Sequence, residues 1–165
     1  MLSAALLLSV LAAEPATFAE RLHGSVDVGG SLLEPSLHVG VEGGVRVGVP
    51  RIVLRAEWNP WISLQTRDGI QPGVVNVGAG VELRWFDERL ASVAMVGISV
   101  LLFRSAFDQP GHTGLFFYVQ PTVIRVPVGA FHLRFAPLSM AIVAPSLDAI
   151  PLVAAQFRTS VGFEW

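Results

Sequence analysis

The chain has 165 residues, no cysteine and a formal charge of −2, with 52% hydrophobic residues, 15% charged residues and a mean hydropathy of +0.58. That apolar content is too high for an ordinary soluble domain and far from a disordered chain; the missing cysteines remove disulfide scaffolds and thiolate zinc sites. All eleven basic residues are arginine and form no basic stripe, so no nucleic-acid partner is expected.

Residues 1–13 hold the apolar run Ala4 to Ala12, short for a membrane helix and suited to the core of a secretory signal, with Val10-Leu11-Ala12 as a small-residue cleavage context. The stretch before it carries no Lys or Arg, only the terminal amine. The expectation is a signal peptide over 1–13 and one domain over 14–165. After residue 20, glycine, proline or a charge interrupts every apolar run well short of the roughly 20 residues that a helical span needs. Sixteen glycines and eleven prolines among many Val, Leu and Phe favour strands joined by turns.

Period-2 alternation then marks the strands. From Leu37 to Val49 the odd positions read Leu, Val, Val, Gly, Val, Val, Val, and the even ones His38, Gly40, Glu42, Gly44, Arg46 and Gly48. The pattern recurs around Ile52 to Asn59, Val75 to Trp85 and Val153 to Trp165. Eight strands are predicted, near residues 22–32, 37–49, 52–64, 74–86, 90–103, 115–126, 129–143 and 152–165. Most reach the roughly 9–11 residues that a tilted membrane-spanning strand requires. The connections Pro50-Arg51, Asp87-Glu88-Arg89 and Pro127-Val128 are tight, whereas 65–73, 104–114 and 144–151 are longer and rich in Gly, Pro, Asp and Gln. This asymmetry is that of short periplasmic turns and longer outward loops, with only the outward connection at Glu34-Pro35-Ser36 short. Aromatic residues gather near strand ends: Trp85, Phe86, Phe131, Phe163 and Trp165 at the inner ends, and Trp58, Trp61, Phe103, Phe116, Phe117 and Tyr118 near the outer ones.

In hydrocarbon every backbone polar group must be paired within the protein, so a sheet survives there only by closing on itself. The predicted fold is therefore all-β: a single antiparallel up-and-down transmembrane β-barrel of about eight strands, whose interior side chains fill. Its lumen would hold Asp27, Glu42, Glu57, Glu82 and Glu164 with Arg46, Arg55, Arg84, Arg134 and Arg158, five acids against five bases. An unpaired buried charge is very costly, so these ten are expected to interlock as an ion-pair plug. Pro60, Pro121 and Pro137 lie within predicted strands and belong at bulges or above the membrane. The fifth segment is apolar on both faces, and its orientation stays open.

The run Phe157-Arg158-Thr159-Ser160-Val161-Gly162-Phe163-Glu164-Trp165 resembles the terminal assembly signal of bacterial outer-membrane β-barrel proteins, with Phe157, Val161, Phe163 and Trp165 at alternate positions. With the export signal and strand count, the chain is similar in class to the OmpA-type transmembrane barrel. The resemblance implies the bacterial outer membrane as location, lipid as surroundings and the barrel-assembly machinery as the partner that inserts it.

Candidate chemistry is sparse. His23-Gly24-Ser25 places His and Ser on one strand face, weakly similar to outer-membrane lipid A deacylases, but a nucleophile needs an aligned base and an orienting group. His38 and Glu42 share a face four residues apart and alone make no metal site. His112 reads as a solvated loop residue, and Gly78-Ala79-Gly80 as strand glycines, not a phosphate loop. No catalytic residue, metal or cofactor is assigned. The expected role is non-enzymatic, in envelope structure or in interactions of the long loops, with a lipid-modifying enzyme or a narrow pore as alternatives. A soluble periplasmic lipocalin-like barrel is a further alternative, and it requires the opposite sidedness, with aliphatic faces inward.

Overall fold

A computed structural model describes residues 22–33, 35–61, 73–102, 113–146 and 152–165; the expected signal peptide and most of the three long connections lie outside these. Eight strands follow in chain order: β1 (Leu22–Ser31), β2 (Leu37–Arg46), β3 (Arg51–Trp61), β4 (Val74–Trp85), β5 (Leu90–Leu101), β6 (Thr113–Val128), β7 (Phe131–Ser146) and β8 (Leu152–Glu164). Each pairs antiparallel with its sequence neighbour, and β1 pairs with β8, closing the barrel. The seam runs through Val26 opposite Phe163 and Val28 opposite Val161. Reciprocal backbone bonds between Gly24 and Trp165, at 2.9 and 3.1 Å, extend it. Closure leaves no sheet edge.

One end of the barrel carries tight connections and is called here the turn end; the other is the loop end. β2 stops at Arg46, and Val47 donates to the Pro50 carbonyl at 2.9 Å. Phe86, Asp87 and Glu88 turn the chain with φ of 50°, 54° and 62°, left-handed values uncommon outside glycine, and bring Glu88 back over the mouth of the lumen. Strands β6 and β7 run further than the sequence pattern implies: β6 includes Thr113, Gly114, Pro127 and Val128, and β7 includes Ala144 to Ser146. The turn between them is therefore Gly129-Ala130 and not Pro127-Val128.

The three prolines expected within strands sit where the ladder slips, while Pro127 of the longer β6 pairs in register with His132 and Pro145 of β7 lies at a further slip between Val143 and Ser146. Pro60 lies where β3 shifts against β2, Pro121 where β6 shifts against β7 between Val119 and Thr122, and Pro137 where β7 shifts against β8 between Ala136 and Ser139. A bulge frees one residue from the ladder, which is where a residue lacking N–H costs least. The slips at Pro121 and Pro137 also invert the in–out alternation. In β6 the inward positions are even up to Gln120 and odd from Val123; in β7 they change from even to odd between Ala136 and Ser139.

The outward faces are aliphatic. Val26, Val41, Leu54, Val77, Val96 and Ile98 are among the exposed large hydrophobics, Leu54 at 64%. Trp58, Phe117, Trp85, Phe131, Phe163 and Trp165 also point outward. Phe116 and Tyr118, expected in the outer aromatic belt, are instead fully buried, their rings stacked 5.9 Å apart; even parity on this part of β6 turns them in. β5 resolves with Ala91, Val93, Met95, Ser99 and Leu101 inward. It joins Val53, Val74, Phe116 and Val143 in an apolar part of the interior.

Candidate functional site

The rest of the interior is ionic, and it divides into two clusters. Nearer the loop end, Arg55 (β3) holds Asp27 (β1) with two parallel bonds, Nη1–Oδ2 at 2.5 Å and Nη2–Oδ1 at 2.8 Å. Such a fork is the strongest geometry available to this pair. Gly40 of β2 makes the approach possible, because a Cβ there would lie 2.2 Å from Arg55 Nη2. The same guanidinium reaches Glu57 Oε2 at 3.3 Å and lies 5.0 Å from the Tyr118 ring centroid, a cation–π contact. The other oxygen of Glu57 accepts from Arg158 Nη1 at 2.7 Å and from the amides of Asn59 and Asn76, both at 3.0 Å. Arg158 Nε donates to Gln156 Oε1 at 2.7 Å. His38 is buried beside this cluster, its Nε2 3.7 Å from Asp27 Oδ1.

The cluster at the turn end is centred on Glu164 of β8. Arg84 Nη2 reaches Glu164 Oε1 at 2.6 Å, and Arg125 grips both oxygens at 2.7 and 2.9 Å. Arg134 lies 3.8 Å from it and donates to Glu42 Oε1 at 2.9 Å and to Ser25 Oγ at 2.6 Å. Arg84 also binds Glu82. Above them Glu88 accepts from Arg51 at 3.1 Å and from Arg84 at 3.0 Å, and Arg125 donates to its carbonyl. Partial burial pushes the Glu88 carboxyl up, but Arg51, Arg84 and Arg125 more than reverse that and hold it below its ordinary value.

Of the ten residues expected in the lumen network, Asp27, Glu42, Arg55, Glu57, Glu82, Arg84, Arg134, Arg158 and Glu164 lie inside and make ion pairs. The tenth is not inside: Arg46, at the last position of β2, is exposed at the rim, where its Nη1 lies 3.5 Å from Glu88 Oε1. Its parity is inward, but the strand ends before the wall can enclose it. Arg125, Arg51 and Glu88 belong to the network and were not singled out from sequence. Arg125 was hidden by the parity inversion after Pro121, while Arg51 and Glu88 belonged to connections read as turns. Phe157, Val161, Phe163 and Trp165 all face outward.

The other candidates come apart. Ser25 Oγ accepts from Arg134, and neither ring nitrogen of His23 has a hydrogen-bond partner, so no Ser–His dyad assembles. His38 and Glu42 fall in different clusters. His112 lies outside the described residues.

No protein-family model and no curated protein matches the chain. Solved structures do match its shape. The Yersinia pestis outer membrane protein Ail in a phospholipid bilayer nanodisc covers 87% of this chain and 98% of its own at 13% identity, with a TM-score of 0.55. Neisserial surface protein A covers 87% and 92% at 11% identity, also with a TM-score of 0.55. A de novo designed transmembrane β-barrel covers 87% and 92% at 14% identity, with a TM-score of 0.50. The chain thus has the fold of the small eight-stranded outer-membrane β-barrels.

Proposed function

We propose that the protein is a non-enzymatic barrel of the bacterial outer membrane, exported through a signal peptide, with a lumen closed by its own side chains. Its function is then envelope structure or contacts made by its outward loops. The observation that carries this reading is sidedness: guanidiniums and carboxylates are matched inside while Leu54, Val77, Val96 and their neighbours face out. A soluble lipocalin-like barrel needs the reverse. A belt of aliphatic side chains around a closed ladder suits acyl chains, and the exposed rings near strand ends suit the two lipid–water interfaces. The turn end is the periplasmic end in this reading, and loops on a rigid wall are where specificity is carried. Phe157, Val161, Phe163 and Trp165 are proposed as the outward-facing signal read by the assembly machinery.

The test is fractionation of expressing cells, with gel mobility of unheated protein reporting the folded barrel. Recovery in the outer-membrane fraction is expected; recovery in the aqueous periplasmic fraction overturns the reading. Reconstitution in planar bilayers is expected to show no discrete openings, and lipopolysaccharide incubated with purified protein is expected to keep its mass.

A further inference from the structure

At the turn end of the lumen, three side chains from three strands converge: His23 of β1, Glu42 of β2 and Glu82 of β4. One ligand atom from each lies within 4.8 Å of the others. All three are buried, His23 at 9% exposure and the two glutamates at 1% or less. Each carboxylate has one oxygen fixed by a guanidinium, Glu42 Oε1 by Arg134 and Glu82 Oε1 by Arg84. The second oxygens, Glu42 Oε2 and Glu82 Oε2, accept no hydrogen bond, and both nitrogens of His23 are likewise unpartnered. Buried polar atoms are nearly always satisfied by a protein group, a water or an ion, and here four unpartnered atoms on three residues converge on one space.

The backbone makes room for the ring. A Cβ on Gly44 would lie 2.2 Å from His23 Cε1 and 2.8 Å from Val53 Cγ1, so glycine at this position lets the imidazole lie against β2.

The donor set is one imidazole nitrogen and two carboxylate oxygens. Oxygen alone would suit calcium or magnesium; the imidazole moves the preference to first-row transition ions, Zn²⁺ above Mn²⁺ or Fe²⁺. Arginines on the outer oxygens orient the carboxylates, as hydrogen-bond partners do for metal ligands generally. They also oppose a cation: Arg134 Nη2 is 3.5 Å from Glu82 Oε2 and Arg51 Nε is 3.9 Å from Glu82 Oε1. We propose that His23, Glu42 and Glu82 form a binding site for a divalent transition-metal ion of the zinc class, in competition with Arg134 for the two carboxylates.

The experiment is titration of the folded full-length protein in detergent micelles with Zn²⁺ against a chromogenic chelator. Gel mobility of unheated samples verifies folding of each variant. One Zn²⁺ per chain is expected. His23→Ala removes no charge pair and is expected to fold while weakening Zn²⁺ by about tenfold or more. His38→Ala, which removes the buried histidine of the other cluster, is expected to leave the affinity unchanged. Arg134→Gln, where it folds, is expected to bind more tightly. Absence of saturable binding, or a folded His23→Ala protein that binds as tightly as the parent, overturns the proposal. So does a folded Arg134→Gln protein with no gain, because the ion would then not sit between the two glutamates.

Discussion

Both oxygens of Asp27 and both of Glu57 are hydrogen-bonded in the loop-end cluster, whereas Glu42 and Glu82 in the turn-end cluster each keep one oxygen without a donor. The first cluster sets two guanidiniums, Arg55 and Arg158, against two carboxylates and adds neutral amides, Asn59 and Asn76 donating to Glu57 and Gln156 accepting from Arg158. The second sets Arg51, Arg84, Arg125 and Arg134, with Arg46 at the rim, against Glu42, Glu82, Glu88 and Glu164, and shares them: Glu164 and Glu82 each face three arginines. A closed interior can therefore neutralise charge in two ways. Deep pairing is local and has no substitute; pairing near a mouth is distributed, so losing one member leaves others to compensate.

The largest expected effect tests the local pairing. Glu57→Leu leaves Arg55 and Arg158 short of a counter-charge in a dry interior and should destabilise the barrel by about 3–5 kcal/mol, read from chaotrope unfolding in lipid vesicles. Next comes the contrast between inside and outside. Leu54→Arg places on the mid-barrel outer face the residue type that the lumen accommodates, and a cost of about 2–4 kcal/mol is expected in lipid, against about 0–1 for Val128→Arg at the turn end. Equal costs at the two depths would contradict an apolar belt.

Glu164→Gln probes the shared cluster. Its three arginines retain Glu82, Glu42 and Glu88 as partners, so a loss of about 1–3 kcal/mol is expected despite the number of bonds broken. A loss as large as that of Glu57→Leu would mean the sharing gives no protection. The smallest effect is at the rim. Because the folded Glu88 carboxyl titrates below its ordinary value, its contribution is present above about pH 4.3 and disappears as pH falls through the folded value. Stability profiles of the parent and Glu88→Gln should accordingly differ at neutral pH and converge in acid.

The number, order and antiparallel run of the strands were legible in the sequence because alternation survives wherever the ladder is regular, as in Leu37 to Arg46 or Leu152 to Glu164. It failed in β6 and β7, where Pro121 and Pro137 sit at slips that exchange inside for outside; Arg125 was lost for this reason. Phe116 and Tyr118 went wrong by a different route: rings near strand ends read as interface residues, but only their even parity shows that they face in. Composition gave the matched charges of the lumen but not which acid meets which base. Glu42 lies directly opposite Arg55 across the β2–β3 ladder yet pairs with Arg134 from the far wall. Strand tilt and stagger decide such partnerships, and neither is written in a period-2 pattern.

Seven of the eight ladders join segments adjacent along the polypeptide and can zip up locally; the β1–β8 seam alone unites the two extremes. Asp27 and Ser25 stand on one lip of that seam, and Arg158 and Glu164 on the other. Until the lips meet, Arg158 and Arg134 stay hydrated or idle, because Glu57 and Glu42 are still across an open gap. Shutting the wall and completing those two pairs are thus one event, and a molecule arrested just before it would offer acyl chains bare arginines and two raw strand edges at once.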